Sequence, residues 1–444
     1  MRLRRGKPAD EATHDAMNAV AGASEPLEPV DEMAPVTRTD RRGRVADAGE
    51  MPPLPSEPLP EPPSLRGADR PERAERAGNG SAAHPSARTR RSRDKAEAPP
   101  WRLDTEGGSL APRSSLDILI DVNDKVLSGQ LAEYEPVPIG LPPLDRTIGG
   151  GLKPGELMLI GGAQGTGKTT MALQMARNIA ASGQAYVLYI CFEHDEADLL
   201  NRLISMESLL PRLPHRGGAV KIQEVRQEVL ATYANAEAGM ADVAANPRLR
   251  PSLERLARYG HNLFLMRGSA TSTTVDNLRR LIQQHRERSG DRRLVVIVDY
   301  LQKVPQVPEP SSESEKVTFV VNGLKDIALS ERVPVIAIVA ADKEGLKATR
   351  LRNYHLRGSS AINYEADVIL ILNEKYQIVA KVNIEFNPYQ AQRFRDWIIV
   401  SVEKNRAGQD NIELEYEKHF DHSCFDPTGR PVQEKLIEER LYNE

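Results

Sequence analysis

The sequence predicts an α/β fold: a mostly parallel sheet flanked by helices, preceded by a long disordered tail. Three observations carry this. From Leu141 onward, short apolar runs alternate with amphipathic helical segments. One of those runs leads through the glycine-rich stretch Gly162-Ala163-Gln164-Gly165-Thr166-Gly167-Lys168-Thr169 into a helix. Upstream of residue 114, proline and mixed charge replace any apolar period.

Residues 1–113 form the tail. Met51-Pro52-Pro53-Leu54-Pro55 and Glu61-Pro62-Pro63 favour extended polyproline conformations. Arginine and acidic residues interleave, so the plain reading is a solvated tether, although the cluster from Arg88 to Arg93 could touch nucleic acid. Residues 114–139 form a linker helix and connector. Leu116, Leu119, Ile120, Asn123 and Leu127 share one helical face, and Ser114 or Ser115 can cap it. No partner helix lies nearby in sequence, so this face must pack on the core domain or on a neighbouring subunit.

Residues 140–430 form the folded domain, and 431–444 a C-terminal tail. Glu156 to Ile160 reads as a buried strand, and Thr170 to Ala181 as a helix stopped by Gly183. Ala185 to Phe192 is a second strand, followed by a helix bearing Leu199, Leu200, Leu203 and Met206. Residues 207–260 read as polar helices without evident chemistry. His261 to Met266 is a strand, and Thr274 can cap a helix burying Val275, Leu278 and Ile282. The apolar run Leu294 to Val298 ends in Asp299, and further strands follow at Val333–Ala340, Ala366–Leu372 and Trp397–Val402.

Bulk composition narrows the function. The chain has 444 residues, 32 prolines and a net charge of −4, so any nucleic-acid surface must be local. Mean hydropathy is −0.47 and no run is long enough to span a membrane, so no membrane partner is expected. Met1 to Arg5 is basic but leads into no apolar run, so no signal peptide is read. Cys191 and Cys424, the only cysteines, give neither a disulfide framework nor a zinc site. A reduced, cytoplasmic protein is the expectation.

The chemistry centres on phosphate. Glycines let successive backbone N–H groups converge on phosphate oxygens without a Cβ in the way. Residues Gly162 to Thr170 would hold the nucleotide, Lys168 would reach its terminal phosphates, and Thr169 would hold Mg²⁺. Ligands of open parallel sheets bind beyond the C-terminal strand ends. Glu193, Asp299 and the Lys404/Arg406 pair all follow apolar runs and are assigned to such ends. Asp299 would complete the Mg²⁺ shell, Glu193 would activate water, and Arg406 would neutralise charge in a neighbour's site.

The block from Leu116 to Pro427 resembles the C-terminal RecA-like ATPase domain of the DnaB family of hexameric replicative helicases. The resemblance rests on Gly140 to Leu144 with Gly151-Leu152, Phe192-Glu193-His194, Asp299-Tyr300-Leu301-Gln302 and Val333 to Ala337. It rests also on Leu356 to Ile362 with Ala366-Asp367, and on Lys404-x-Arg406-x-Gly408. The resemblance implies an ATP- and Mg²⁺-dependent hydrolase forming a homo-oligomeric, hexameric ring that threads single-stranded DNA. It implies Lys404 and Arg406 acting in trans, a linker helix docking on the adjacent subunit, and DNA contact through Lys343, Lys347, Arg350, Arg352 and Arg357. A loader or other replication protein could engage the tail.

Three departures stand out. Ala340 occupies the position where the family has a phosphate-sensing glutamine, which puts the coupling of hydrolysis to movement in question. The tail stands in place of the family's helical N-terminal domain, and His194 stands for its usual methionine. These fit an accessory, phage-derived or mobile-element relative. Two alternatives follow: a RadA- or KaiC-like ATPase in recombination or regulation, sharing the Gly149-Gly150-Gly151-Leu152 segment, or an ATP-dependent assembly protein that does not unwind DNA.

Overall fold

The computed structural model describes residues 103–105, 108–110, 112–129, 134–213, 215, 217–234, 240–289, 292–358, 360–379 and 392–436. The expectations for residues 1–102 and 437–444 lie outside these. Within the span read as tail, β1 (Leu103–Thr105) and β2 (Gly108–Leu110) pair as a short antiparallel ribbon, a difference from that reading.

Helix α1 (Ser115–Leu127) begins with a reciprocal cap between Ser114 and Asp117. It buries no residue: Leu116, Leu119 and Leu127 are 63%, 64% and 77% exposed. The chain then passes through α2 (Pro142–Thr147), whose buried Asp145 accepts the backbone N–H groups of Ile139, Gly140 and Leu141.

The sheet follows. β3 (Leu157–Gly162) leads through the glycine-rich loop into α3 (Lys168–Ser182), which Gly183 ends in left-handed conformation. β4 (Tyr186–Cys191) precedes α4 (Glu196–Leu209) and the smaller helices α5 (Ile222–Ala234), α6 (Met240–Ala245) and α7 (Arg250–Tyr259). β5 (Leu263–Arg267), α8 (Val275–Ser289), β6 (Leu294–Asp299), α9 (Glu313–Ser330) and β7 (Val335–Ala340) alternate as the sequence predicts. Then come α10 (Ala361–Glu365), β8 (Val368–Glu374), α11 (Lys375–Ile378), β9 (Trp397–Asn405), β10 (Ile412–His419), β11 (Cys424–Phe425) and β12 (Arg430–Pro431).

The strand order is β11-β10-β9-β8-β3-β7-β6-β4-β5, with β12 on β10. The six strands from β8 to β5 in that order run parallel, whereas β9 and β10 are antiparallel to their neighbours. Alternation along β3 supplies both layers. Met158 and Ile160 pack with α3, and Leu157 and Leu159 with α8 and α9.

The polar helical stretch holds one buried acid that its sequence does not announce. Glu207 receives Arg177 Nε at 2.5 Å and the Tyr259 hydroxyl at 2.7 Å. It pins α3, α4 and α7 together, and no local pattern in residues 207–260 points to it.

Candidate nucleotide-binding site

The parallel register decides what meets what. Gly162 at the end of β3 lies beside Ala340 at the end of β7, and Cys191 at the end of β4 lies beside Asp299 at the end of β6. The loop, Asp299 and Glu193, two residues past β4, therefore share one edge of the sheet. The loop's glycines are needed where they stand. Gly165 and Gly167 have φ of 83° and 90°, and a Cβ on Gly167 would strike the Phe420 ring at 2.6 Å. Gln174 of α3 clamps the backbone of Phe425 through two hydrogen bonds, of 2.9 and 2.7 Å, and so fixes the aromatic pair beneath the loop. A cavity of about 360 Å³ beside the loop tip is bordered by Gln164, Gly165, Glu374, Tyr376 and Lys418.

Lys168 Nζ donates to the carbonyls of Gly162 (2.9 Å) and Ala163 (2.8 Å). Burial pulls its pKa below the ordinary lysine range, and Asp299 and Glu193 pull it back. Asp299 is 1% exposed. Burial raises its carboxyl above the ordinary range, the Thr169 and Tyr189 hydroxyls lower it, and Glu193 raises it again. Tyr189 donates to Oδ2 at 3.0 Å, and the Cys191 thiol lies 3.8 Å from the same atom. Oδ1 is buried with no partner that meets hydrogen-bond geometry. That orphaned acceptor, with the Thr169 hydroxyl approaching the same carboxylate, suits a hydrated divalent cation. The sequence reading misses Tyr189 and Cys191; their signal is the two-residue period that points both toward Asp299.

Glu193 is exposed, at the head of a turn that His194 anchors through Nδ1 to Asp198 at 3.0 Å. The Asp299–Tyr300 peptide is cis.

Two assignments need correction. Lys404 and Arg406 do not join this edge. β9 runs antiparallel to β8, so Asn405 pairs with Val368 at the start of β8 and the two cations emerge at the opposite edge. Alternating apolar residues show that a strand exists and leave its direction open. Arg406 there meets Asp367 Oδ1 at 3.2 Å and the Tyr364 carbonyl, and Lys404 donates to the Asn363 carbonyl at 2.5 Å. Burial and then Arg406 lower the Lys404 pKa.

The expected DNA loop is the second. Arg350 is 5% exposed and ion-paired with Glu413, and Arg352 contacts Glu403 at 2.9 Å. Leu351 between them is stapled to Asn373 by two hydrogen bonds, so the segment lies against the sheet and both arginines turn inward. Arg350 is thereby closed off from a phosphate backbone, and the half-buried Arg352 is committed to Glu403. Lys343 and Lys347 are exposed, and Arg357 is exposed but contacts Glu313 at 2.7 Å. At Ala340, the backbone N–H donates to Gln302 Oε1 (3.2 Å), and Gln302 Nε2 donates to the Arg357 carbonyl (2.9 Å). Gln302 thus joins the turn after Asp299 to the strand and loop beside it.

The sequence pattern of the DnaB-like helicase C-terminal domain matches residues 136–423, well over half of the chain. The chain belongs to that family. The replicative DNA helicase DnaB of Leifsonia xyli subsp. xyli is 25% identical over 241 residues, spanning 54% of this chain and 47% of the relative. The Rickettsia bellii protein of the same name is 23% identical over 76% of this chain and 68% of its own length. This chain thus spans about half of the first relative. The DNA repair protein RadA of Campylobacter jejuni subsp. jejuni is 43% identical, over only 16% of each chain. Among solved structures, one isolated ATPase domain superposes with a TM-score of 0.54 at 19% identity, covering 71% of this chain and 99% of that domain. A DnaB-like replicative helicase solved for its interactions with primase gives 0.52 at 19% identity, covering 71% and 67%. At that identity the likeness concerns the RecA-type ATPase fold. Among the described residues no helix is long and apolar enough to cross a membrane.

The Asp299 assignment has a direct test. Asp299→Asn keeps the volume and removes the charge. The Mg²⁺ concentration giving half-maximal ATPase activity should rise about 10- to 100-fold. An unchanged Mg²⁺ requirement would remove Asp299 from the metal's surroundings.

Proposed function

We propose that the protein is a ring-forming, Mg²⁺-dependent ATPase that translocates on single-stranded DNA and separates strands. The observation that carries this reading is the split of the catalytic set between two sheet edges. The glycine loop, Asp299 and Glu193 gather at one edge, and Lys404 and Arg406 at the other. The parallel strands are five to seven residues long, so the edges stand about 20 Å apart, beyond the reach of a guanidinium. A complete set needs a second copy of the chain.

The residues divide the work. Backbone N–H groups from Gly165 to Thr170 bind the phosphates, and Lys168 leaves its two carbonyls to pair with them. Thr169 and Asp299 would hold Mg²⁺, which would supply positive charge against the phosphates. Glu193, exposed at the site, orients the attacking water and accepts its proton. Arg406 of an adjoining protomer faces the charge that builds on the transferred phosphoryl group.

The uncovered face of α1 supports assembly. Leu116, Leu119, Ile120 and Leu127 are all at least half exposed, and burying each would contribute about 1.5–3 kcal/mol. Leu116→Asp with Leu119→Asp should convert the oligomer to monomer in a solution mass measurement. The fold should barely notice, because exposed substitutions cost within about 0.5 kcal/mol. An unchanged oligomer would remove α1 from the interface.

Single-stranded DNA would be held by Lys343, Lys347 and Arg357, with the tail available to a loader. The experiment is ATP hydrolysis with and without single-stranded DNA, alongside unwinding of a forked duplex. DNA-stimulated hydrolysis with unwinding is expected. The RadA match favours a second reading, a recombination ATPase of the same fold. Branch migration without unwinding would establish it.

A further inference from the structure

Asp367, in the turn ahead of β8, is 7% exposed and serves two distant parts of the protomer at once. Its Oδ2 accepts the backbone N–H of Leu157 at 2.8 Å and Lys325 Nζ at 2.6 Å. Its Oδ1 receives the Arg406 guanidinium at 3.2 Å. Backbone bonds follow the same route: Asp367 N–H donates to the Leu157 carbonyl, and Arg406 N–H to the Asp367 carbonyl, each at 2.9 Å. Leu157 opens β3, whose far end is the glycine loop. One carboxylate oxygen therefore fixes the root of the phosphate-binding strand, and the other holds the cation assigned to a neighbour's site.

Folding alone does not need this arrangement. Lys325, whose side chain is 12% exposed, already balances the buried charge. The Arg406 side chain is 50% exposed, and a pair of that kind adds little stability. Its remaining partner, the Tyr364 carbonyl, lies at the C-terminal end of α10, where carbonyl dipoles favour a cation. Tyr364 itself is 72% exposed, so the guanidinium is held in place at an open surface.

We propose that Asp367 is a positioning residue that aims Arg406 at the adjoining protomer and ties that aim to β3 of its own. A shift of β3 when this protomer fills or empties its loop then reaches the cation that serves the next site. The inference rests on the reading of Arg406 as acting in trans.

The test is a double-mutant cycle on the full chain, with ATPase kinetics and melting temperature measured together. Arg406→Ala alone should lower kcat about 100-fold or more. Asp367→Asn alone should lower kcat about tenfold and leave KM for ATP unchanged, as loss of an interaction made only in the transition state does. The double variant should match Arg406→Ala within about twofold, because Asp367 acts through Arg406. Losses that multiply, or a raised KM with kcat intact, overturn this inference while leaving the trans reading standing. A silent Arg406→Ala overturns both. Asp367→Glu repeats the cycle with the charge against Lys325 kept, should Asp367→Asn fail to fold. Its longer arm displaces the guanidinium, and the same non-multiplying loss is expected.

Discussion

Lys168→Ala should lower ATP turnover by about three orders of magnitude or more and leave the fold intact. The residue opens α3, where alanine is a better helix former than lysine, so the backbone should not object. The loss is electrostatic. The ammonium donates to two loop carbonyls, burial pulls its pKa down, and the charges of Asp299 and Glu193 pull it back. Phosphate oxygens entering the loop would supply a stronger counter-charge than the Gly162 and Ala163 carbonyls. Without the ammonium, two carboxylates would face the phosphates with that cation missing from between them. Steady-state kinetics and nucleotide binding check this together. A variant that binds and hydrolyses normally would mean the glycine turn is not a phosphate site.

Arg406→Ala should have the second-largest effect, a loss of kcat of about two to three orders of magnitude, on the order seen when a transition-state arginine is removed. The oligomer should persist, because the side chain is half exposed and its partner Asp367 keeps Lys325. KM for ATP should change little, since a group that meets charge only as it develops contributes to the transition state and not to ground-state binding. Solution mass and ATPase kinetics on the same sample separate loss of catalysis from loss of the proposed ring.

Local signals in the sequence translated well. The apolar run Leu294 to Val298 closing on Asp299, the caps at Ser114 and Gly183, and the strand–loop–helix around Lys168 all depend on neighbours within a few residues. The failures concern partners far along the chain. Arg350 reads as one more cation in a basic loop until Glu413 arrives from β10. Lys404 and Arg406 follow an apolar strand as Asp299 does, but the chain has turned back before β9, and direction leaves no mark on composition. In the sequence Asp367 is only one member of a motif. Its contacts with Leu157, 210 positions away, and with Arg406 emerge once the strands are side by side.

The proposed composite site allows one direct measurement. Lys168→Ala protomers keep a working Arg406, and Arg406→Ala protomers keep a working glycine loop. Each alone should be nearly inactive. Mixed and allowed to exchange subunits, they should regain ATPase activity, most strongly near equal proportions, because some neighbouring pairs combine an intact loop with an intact arginine. Mixtures that stay as inactive as their components, at a mass that shows mixed rings have formed, would contradict a site shared between two protomers.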